Sequence, residues 1–164
     1  MKKLILKEKF SFKKPFRITD ENGTELYQIE SNMLGTKVSI VDMNGQEVAL
    51  IEPKGVVSFR FVLTVEGDEP IIIKHKQGLV KSQYEIECQG IEVIGDFWGL
   101  NFAIVRNGEK IGAIKNRLGR YEIEVNQETC EFVVLATVVA ITYINTANAG
   151  VIGGIAGGAA AGAR

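Results

Sequence analysis

The stretch FVVLATVVAITYI, from Phe132 to Ile144, decides the fold. It is apolar on every side and longer than a typical strand, which predicts a helix that buries its whole circumference. Glu128 and Glu131 lie just before or at its start and suit the positive end of a helix dipole. Its β-branched residues favour a strand instead. Length decides for the helix, which we expect over about residues 127–145.

The chain before this run reads as a series of β-hairpins. Three Asn-Gly dipeptides lie between alternating apolar runs: Asn22-Gly23, Asn44-Gly45 and Asn107-Gly108. This dipeptide is typical of a type I′ turn, in which both central residues have positive φ. Two looser turn signals are Glu66-Gly67-Asp68 and Gln89-Gly90. With a first strand near Leu4–Phe12 and a last one near Tyr121–Val125, the chain holds about twelve strands.

A sheet of that size is expected to close. Closure removes exposed edges, and a barrel of about twelve strands leaves interior space for the apolar run. The sequence therefore predicts a mainly β fold, a closed antiparallel barrel of about twelve strands that encloses a hydrophobic C-terminal α-helix. We expect this domain to span residues 1–145.

Residues 146–164 form a tail rich in glycine and alanine. Each glycine costs a helix about 1 kcal/mol relative to alanine, so we expect the tail to be disordered in water. The glycine spacing also resembles that of packed membrane helices, which leaves a membrane span as the alternative. Against a span, the fully apolar run is shorter than the about 20 residues that a bilayer requires.

The composition excludes several classes of function. The net charge of −1 gives no overall attraction to nucleic acid, and the chain has a single histidine and two cysteines. Cys88 and Cys130 are far apart and in no short metal-ligand spacing, and the N-terminus lacks the apolar core of a secretory signal. We therefore expect a cytoplasmic protein with no metal site, no cofactor and no catalytic residues, that is, not an enzyme.

Three segments resemble the LURP-one-related family: GDFWGLNFAI at Gly95–Ile104, NGEKIGAIK at Asn107–Lys115, and YEIEV at Tyr121–Val125 before the apolar run. The likeness covers residues 1–145. It implies a twelve-stranded barrel around a hydrophobic C-terminal helix, as in the Tubby C-terminal domain and as inferred for phospholipid scramblases. The Tubby branch binds phosphoinositides through basic residues on barrel strands, so the resemblance also implies lipid binding by fold analogy.

Basic residues cluster near the N-terminus and before the last strand. The candidate lipid-binding residues are Lys7, Lys9, Lys13, Lys14, Arg17, Lys115, Arg117 and Arg120. Lysine and arginine attract anionic head groups, and arginine binds phosphate oxygens bidentately. The alternative interpretations are protection of an edge strand by lysine and an ordinary solvated turn. Glu122 and Glu124 share one side of a strand and read as a solvated face.

These observations predict a non-enzymatic binding or scaffold module that recognises anionic phospholipid head groups at the inner face of a membrane. Its partner would be the membrane surface, with no nucleic acid expected. The alternative is a scramblase-like membrane protein, or a carrier of a small apolar ligand, that uses the C-terminal apolar segment.

Overall fold

The computed structural model describes residues 1–7, 14–32, 36–54, 60–77, 82–87, 90–118 and 120–160. Within them the elements are β1 (Lys2–Leu6), β2 (Phe16–Thr19), β3 (Glu25–Ser31), β4 (Val38–Asp42), β5 (Glu47–Pro53), β6 (Arg60–Val65), β7 (Ile71–Gln77), β8 (Ser82–Glu87), β9 (Ile91–Asp96), β10 (Asn101–Arg106), β11 (Glu109–Arg117), β12 (Arg120–Val125), a short 3₁₀ turn (Glu128–Cys130) and α1 (Glu131–Ala160).

The described residues form one antiparallel sheet of twelve strands. Its order is β8-β7-β6-β5-β4-β3-β2-β1-β12-β11-β10-β9, so hairpins follow the chain and the first strand pairs with the last. The two ends of this order, β8 and β9, contact each other. The sheet is thus a nearly closed barrel, which confirms the predicted fold class.

The predicted hairpins form, but their turn chemistry differs from the expected one. At Asn107 and Gly108 both φ angles are positive, at 52° and 83°, as a type I′ turn requires. In the other two Asn-Gly turns only the glycine has positive φ, so the type I′ prediction is wrong there. In those turns the carboxylates of Asp20 and Asp42 accept backbone N–H groups two and four residues on, which fixes a longer loop.

The first part of helix α1, as far as Asn145, occupies the interior of the barrel. Its side chains from Val133 to Ile141 are all fully buried, and the inward-facing residues of the strands surround them. The hydroxyls of Thr137 and Thr142 donate to the carbonyls four residues earlier, at 2.7 and 2.8 Å. Both hydroxyls are therefore hydrogen-bonded within the core. Gly112 on β11 permits the close approach of α1 at Val134.

The helix begins and ends elsewhere than predicted. The 3₁₀ turn precedes it, α1 starts at Glu131, and helical backbone continues to Ala160 instead of ending near residue 145. Extending an existing helix adds one hydrogen bond per residue at no further nucleation cost, which accounts for the continuation. The disorder of residues 146–164 in water stays a prediction.

Candidate functional site

The outer surface of β11, β12, β1 and β2 carries a concentration of basic side chains. Residues alternate between the two sides of each strand, and Leu4 and Leu6 on β1 are buried inside the barrel. Lys3 and Ile5 therefore lie on the outside. We call the following seven cations the basic face: Lys3, Lys7, Arg17, Lys110, Lys115, Arg117 and Arg120.

Strand pairing brings the two predicted basic clusters onto this one face. Lys115 is opposite Glu122, Glu122 is opposite Ile5, and Ile5 is opposite Thr19. Neighbouring strands are about 4.8 Å apart, so β11 and β2 are separated by roughly 14 Å. The clusters are more than ninety positions apart in the chain, and the pairing of β1 with β12 makes them neighbours.

Two carboxylates lie beneath the basic side chains. Glu122 and Glu124 are 9% and 5% exposed, so the expectation that they form a solvated face is wrong. Lys115 Nζ is 2.7 Å from Glu124 Oε1, and Arg120 Nη2 is 2.7 Å from Glu122 Oε1. The long basic side chains extend over the strand and cover the shorter acidic ones.

These ion pairs set the ionisation of both carboxyl groups. The hydrogen bond from Arg120 lowers the pKa of Glu122, and the hydrogen bond from Lys115 lowers the pKa of Glu124, in each case against the opposing effect of burial. Lys110 Nζ lies 3.6 Å from Glu124, and Arg117 Nε lies 3.9 Å from Glu122. Both carboxylates are therefore ionised at neutral pH.

The basic face keeps a surplus of positive charge after this pairing. Besides Glu122 and Glu124, its ion-pair partners are Glu21, 3.9 Å from Lys3, and Glu25, which binds Arg17. Among the described ion pairs, six of the seven cations thus share four carboxylates, and Lys7 is in none of these pairs. Arg17 and Arg117 remain more than half exposed, so the face can still bind an external anion.

Two shallow grooves lie on this surface. One, of about 550 Å³, is lined by Ile5, Thr19, Lys7, Arg17 and Glu25, among others. The other, of about 390 Å³, is lined by apolar residues of β9, β10 and β11 and by basic residues: Ile94, Ala103, Ala113, Lys110, Lys115 and Arg117. Each groove therefore combines apolar and cationic side chains in its lining.

Of the eight candidate lipid-binding residues, Lys9 and Lys13 lie outside the described residues. The structure brings Lys7 and Arg17 onto the same face as Lys115, Arg117 and Arg120. Lys14 is exposed beside the start of β2. Whether these residues bind lipid stays a prediction.

Sequence reasoning missed Lys3 and Lys110 as members of this face. For Lys3 the signal was available, because it alternates with the buried Leu4 and Leu6. Lys110 lies next to a β-bulge at Ile104/Val105, which disturbs the alternation on which such reasoning depends.

A second polar cluster lies where α1 begins. Glu131 is 8% exposed, and both of its carboxylate oxygens accept hydrogen bonds from Lys2 Nζ at 2.9 Å. Tyr27 donates its hydroxyl to Glu131 Oε1 at 2.6 Å. Burial, and then the hydrogen bond to Glu131, raise the pKa of Tyr27. The cluster fixes the helix start against β1 and β3.

Cys130 is also buried at this end, and its thiol lies 3.6 Å from Gln127 Oε1. Cys88 lies outside the described residues. Within the described part of the chain, no group of three or more His, Cys, Asp or Glu side chains is placed to hold a metal ion.

One described helical stretch, Glu128–Thr146, is long and apolar enough to cross a membrane. In the structure 78% of this stretch is buried inside the protein, as in the core helix of a globular domain.

The family model described as LURP-one-related matches residues 2–142. The chain belongs to the LURP-one-related family. The X-ray structure of a protein from Arabidopsis thaliana is similar to this LURP-one-related barrel, with a TM-score of 0.59 and 14% sequence identity over 85% of this chain and 88% of the plant chain. That likeness shows the fold alone. No curated protein matches the chain significantly.

The family match confirms the resemblance inferred from the three sequence segments, and the Tubby C-terminal fold is consistent with it. The LURP-one-related family and its barrel fold support a non-enzymatic binding or scaffold domain.

Proposed function

We propose that this protein is a binding module that recognises anionic phospholipid head groups at the cytoplasmic face of a membrane, through the basic face. One observation carries the proposal: the basic face holds seven cations, of which six share only four carboxylates and Lys7 is in none of the described ion pairs. The protein's net charge is −1, so this positive surplus is local and oriented. A surplus of positive charge on one side of the protein favours binding to an anionic surface.

The magnitude of the attraction is sufficient for reversible attachment. A basic residue near an anionic membrane surface contributes about 1 kcal/mol. Three uncompensated cations then contribute about 3 kcal/mol, or roughly a hundredfold in affinity. Arg117 lines the same groove as Ala103 and Ala113, and its exposed guanidinium is suited to bind a phosphate group bidentately.

Vesicle sedimentation tests the proposal directly. The full chain should bind vesicles of phosphatidylcholine and phosphatidylserine and should not bind phosphatidylcholine alone. Binding should weaken as salt rises, because exposed charges are screened over about 8 Å at physiological ionic strength. Binding that is equal on both kinds of vesicle and insensitive to salt would contradict the proposal.

A double variant, Lys7→Gln with Arg117→Gln, locates the site. Both side chains are exposed, and Arg117 lies 3.9 Å from its carboxylate partner, so the fold should persist. Losing two cations at about 1 kcal/mol each should weaken vesicle binding roughly thirtyfold. The control is Lys74→Gln, because Lys74 pairs with Glu87 and lies on β7, which is six strands from β1 in the sheet order and therefore on the opposite side of the barrel. Equal losses in both variants would contradict a role for the basic face.

The alternative function uses the C-terminal apolar segment as a membrane anchor, as in a scramblase-like protein. The continuation of α1 to Ala160 favours it, since residues 147–160 form helical backbone. At 1.5 Å per residue this extension is about 21 Å long, which is short of the about 30 Å of a bilayer core. A role as carrier of an apolar ligand is disfavoured, because the fully buried side chains of α1 fill the interior.

Truncation separates the two functions. Deleting residues 147–164 should leave vesicle binding and its salt dependence unchanged if the basic face is the site. If the segment is an anchor instead, the truncated protein should no longer associate with vesicles, and changes in salt should matter little to the full chain.

A further inference from the structure

Two turns at one end of the barrel are joined by hydrogen bonds. The first connects β9 to β10, and the second follows Arg117 at the end of β11. The side chain of Asn101 accepts from the backbone N–H of Asn116 at 3.0 Å. The side-chain amides of Asn101 and Asn116 both donate to the carbonyl of Gly99, at 3.1 and 3.3 Å. The two turns therefore form one unit.

This unit presents apolar side chains to solvent. Trp98 is 46% exposed on the first turn, and Leu118 is fully exposed on the second. Leu118 has a φ of 34°, a left-handed conformation that is unfavourable for a leucine. A leucine that is exposed and in this conformation contributes no packing that would stabilise the fold. Strained, exposed positions of this kind point to a function outside the fold.

Cations lie beside the two apolar side chains. Arg117 immediately precedes Leu118, and Arg120 begins the next strand, with side chains 57% and 49% exposed. A groove of about 520 Å³ at this turn is lined by Asn101, Asn116, Arg117 and Leu118. The unit thus combines an indole, an aliphatic side chain and guanidinium groups.

The same end of the barrel is where α1 leaves the interior. Asn145, near the last buried turn of α1, donates its side-chain amide to the carbonyl of Phe97 at 2.8 Å, directly beside Trp98. From there to Ala163 the chain has no charged residue. Lys7 and Lys14 also lie at this end, because β1 ends at Leu6 and β2 begins at Phe16.

We propose that this end of the barrel is the membrane-contacting end, and that Trp98 and Leu118 insert into the interfacial region of an anionic bilayer while Arg117 and Arg120 bind its phosphates. The inference rests on the proposed function and adds the orientation of the protein on the membrane. Tryptophan is enriched at membrane interfaces, where its ring lies at the level of the head groups. Guanidinium groups bind the phosphates found at the same depth.

Trp98 itself reports insertion, because it is the only tryptophan in the chain. The full chain is mixed with phosphatidylcholine–phosphatidylserine vesicles that contain lipids brominated near the top of the acyl chain. Emission from Trp98 should shift to shorter wavelength and be quenched in proportion to the fraction of protein bound. Sedimentation of the same samples measures that fraction independently.

Two matched variants test the orientation. Leu118→Asp removes no packing, because Leu118 is fully exposed, and aspartate tolerates positive φ better than leucine does. It should weaken binding to the vesicles at least tenfold. The control is Met43→Asp in the turn between β4 and β5, where an equally apolar side chain is 54% exposed at the opposite end of the barrel. It should leave binding unchanged.

The outcomes separate this inference from the proposed function. Binding without quenching of Trp98, or equal losses in the two aspartate variants, would overturn the orientation while leaving recognition of anionic lipid in place. No binding to any vesicle would overturn both. Quenching of Trp98 on pure phosphatidylcholine, with equal affinity, would support insertion and overturn the requirement for anionic head groups.

Discussion

Replacing Gly112 by alanine tests how closely α1 packs inside the barrel. A Cβ atom added at Gly112 lies 2.6 and 2.7 Å from the two methyl groups of Val134 on α1. It also lies 2.7 Å from the carbonyl oxygen of Glu124 on β12. Carbon atoms in ordinary contact are about 3.5–4.0 Å apart, so α1 or β11 must move by roughly 1 Å.

The movement should be costly because neither neighbour can give way easily. Val134 is fully buried, and Glu124 contributes a backbone atom within the sheet. An extra methyl group in a packed core costs about 1–3 kcal/mol, and contacts with two different elements place Gly112→Ala near 3 kcal/mol. In a chain of this size each kcal/mol lowers Tm by about 2–4 °C, so Tm should fall by about 6–12 °C. Thermal unfolding followed by circular dichroism measures the change.

A double-mutant cycle identifies the cause. Val134→Ala alone removes two buried methyl groups, at about 0.8 kcal/mol each, and leaves a cavity. Combined with Gly112→Ala, it relieves the clash with α1, so the double variant should be more stable than the sum of the single losses by at least about 1 kcal/mol. Strict additivity, or a Gly112→Ala protein whose Tm lies within about 2 °C of the parent, would refute this account of the packing.

Three further predictions concern buried groups. Glu131→Ala removes the carboxylate at the start of α1 and should lower the free energy of unfolding in urea by about 2–3 kcal/mol. Tyr27→Phe removes one of the hydrogen-bond donors to this carboxylate and should lower it by less. Because the folded-state pKa values of Glu122 and Glu124 lie below 4.5, the stability they contribute is present above pH 4.5 and is lost as pH falls through the lowered values. Between pH 7 and pH 3, the Tm of the variant with glutamine at both positions should thus decrease less than the Tm of the parent protein. An equal decrease in both proteins would contradict a stabilising role for these ion pairs. Leu135→Asp places a carboxylate at a fully buried position of α1 and should abolish the cooperative unfolding transition.

Much of the fold could be predicted because its signals are local. Apolar alternation and glycine turns marked the hairpins, and the run from Phe132 to Ile144 marked the central helix. The turn types at Asn22-Gly23 and Asn44-Gly45 could not be predicted from the dipeptide alone, because the preceding aspartate side chain determines the loop. The continuation of α1 to Ala160 was missed because glycine propensity was weighed without the preformed helix before it.

The candidate site was harder to predict because it depends on long-range pairing. The sequence identified two basic clusters, but only the antiparallel pairing of β1 with β12 places Lys7 near Arg120 on one face. The same pairing buries Glu122 and Glu124 beneath basic side chains. No local pattern distinguishes a carboxylate covered in this way from a solvated one, since both alternate with apolar residues.

The position of α1 has a consequence for where a LURP-one-related barrel of this kind can bind a ligand. A barrel of twelve strands has room for more than side chains, yet here the chain's own helix uses that room, and its side chains from Val133 to Ile141 are fully buried. A ligand inside would have to displace the core that stabilises the fold. Recognition is thereby directed to the outer strand surfaces and the barrel ends. Helix α1 leaves the barrel interior beside Phe97. The basic face meets the exposed Trp98 and Leu118 at this end of the barrel. Helix α1 therefore has two effects. It fills the interior, and its exit places the uncharged C-terminal segment at the same end of the barrel as the candidate membrane-contacting residues.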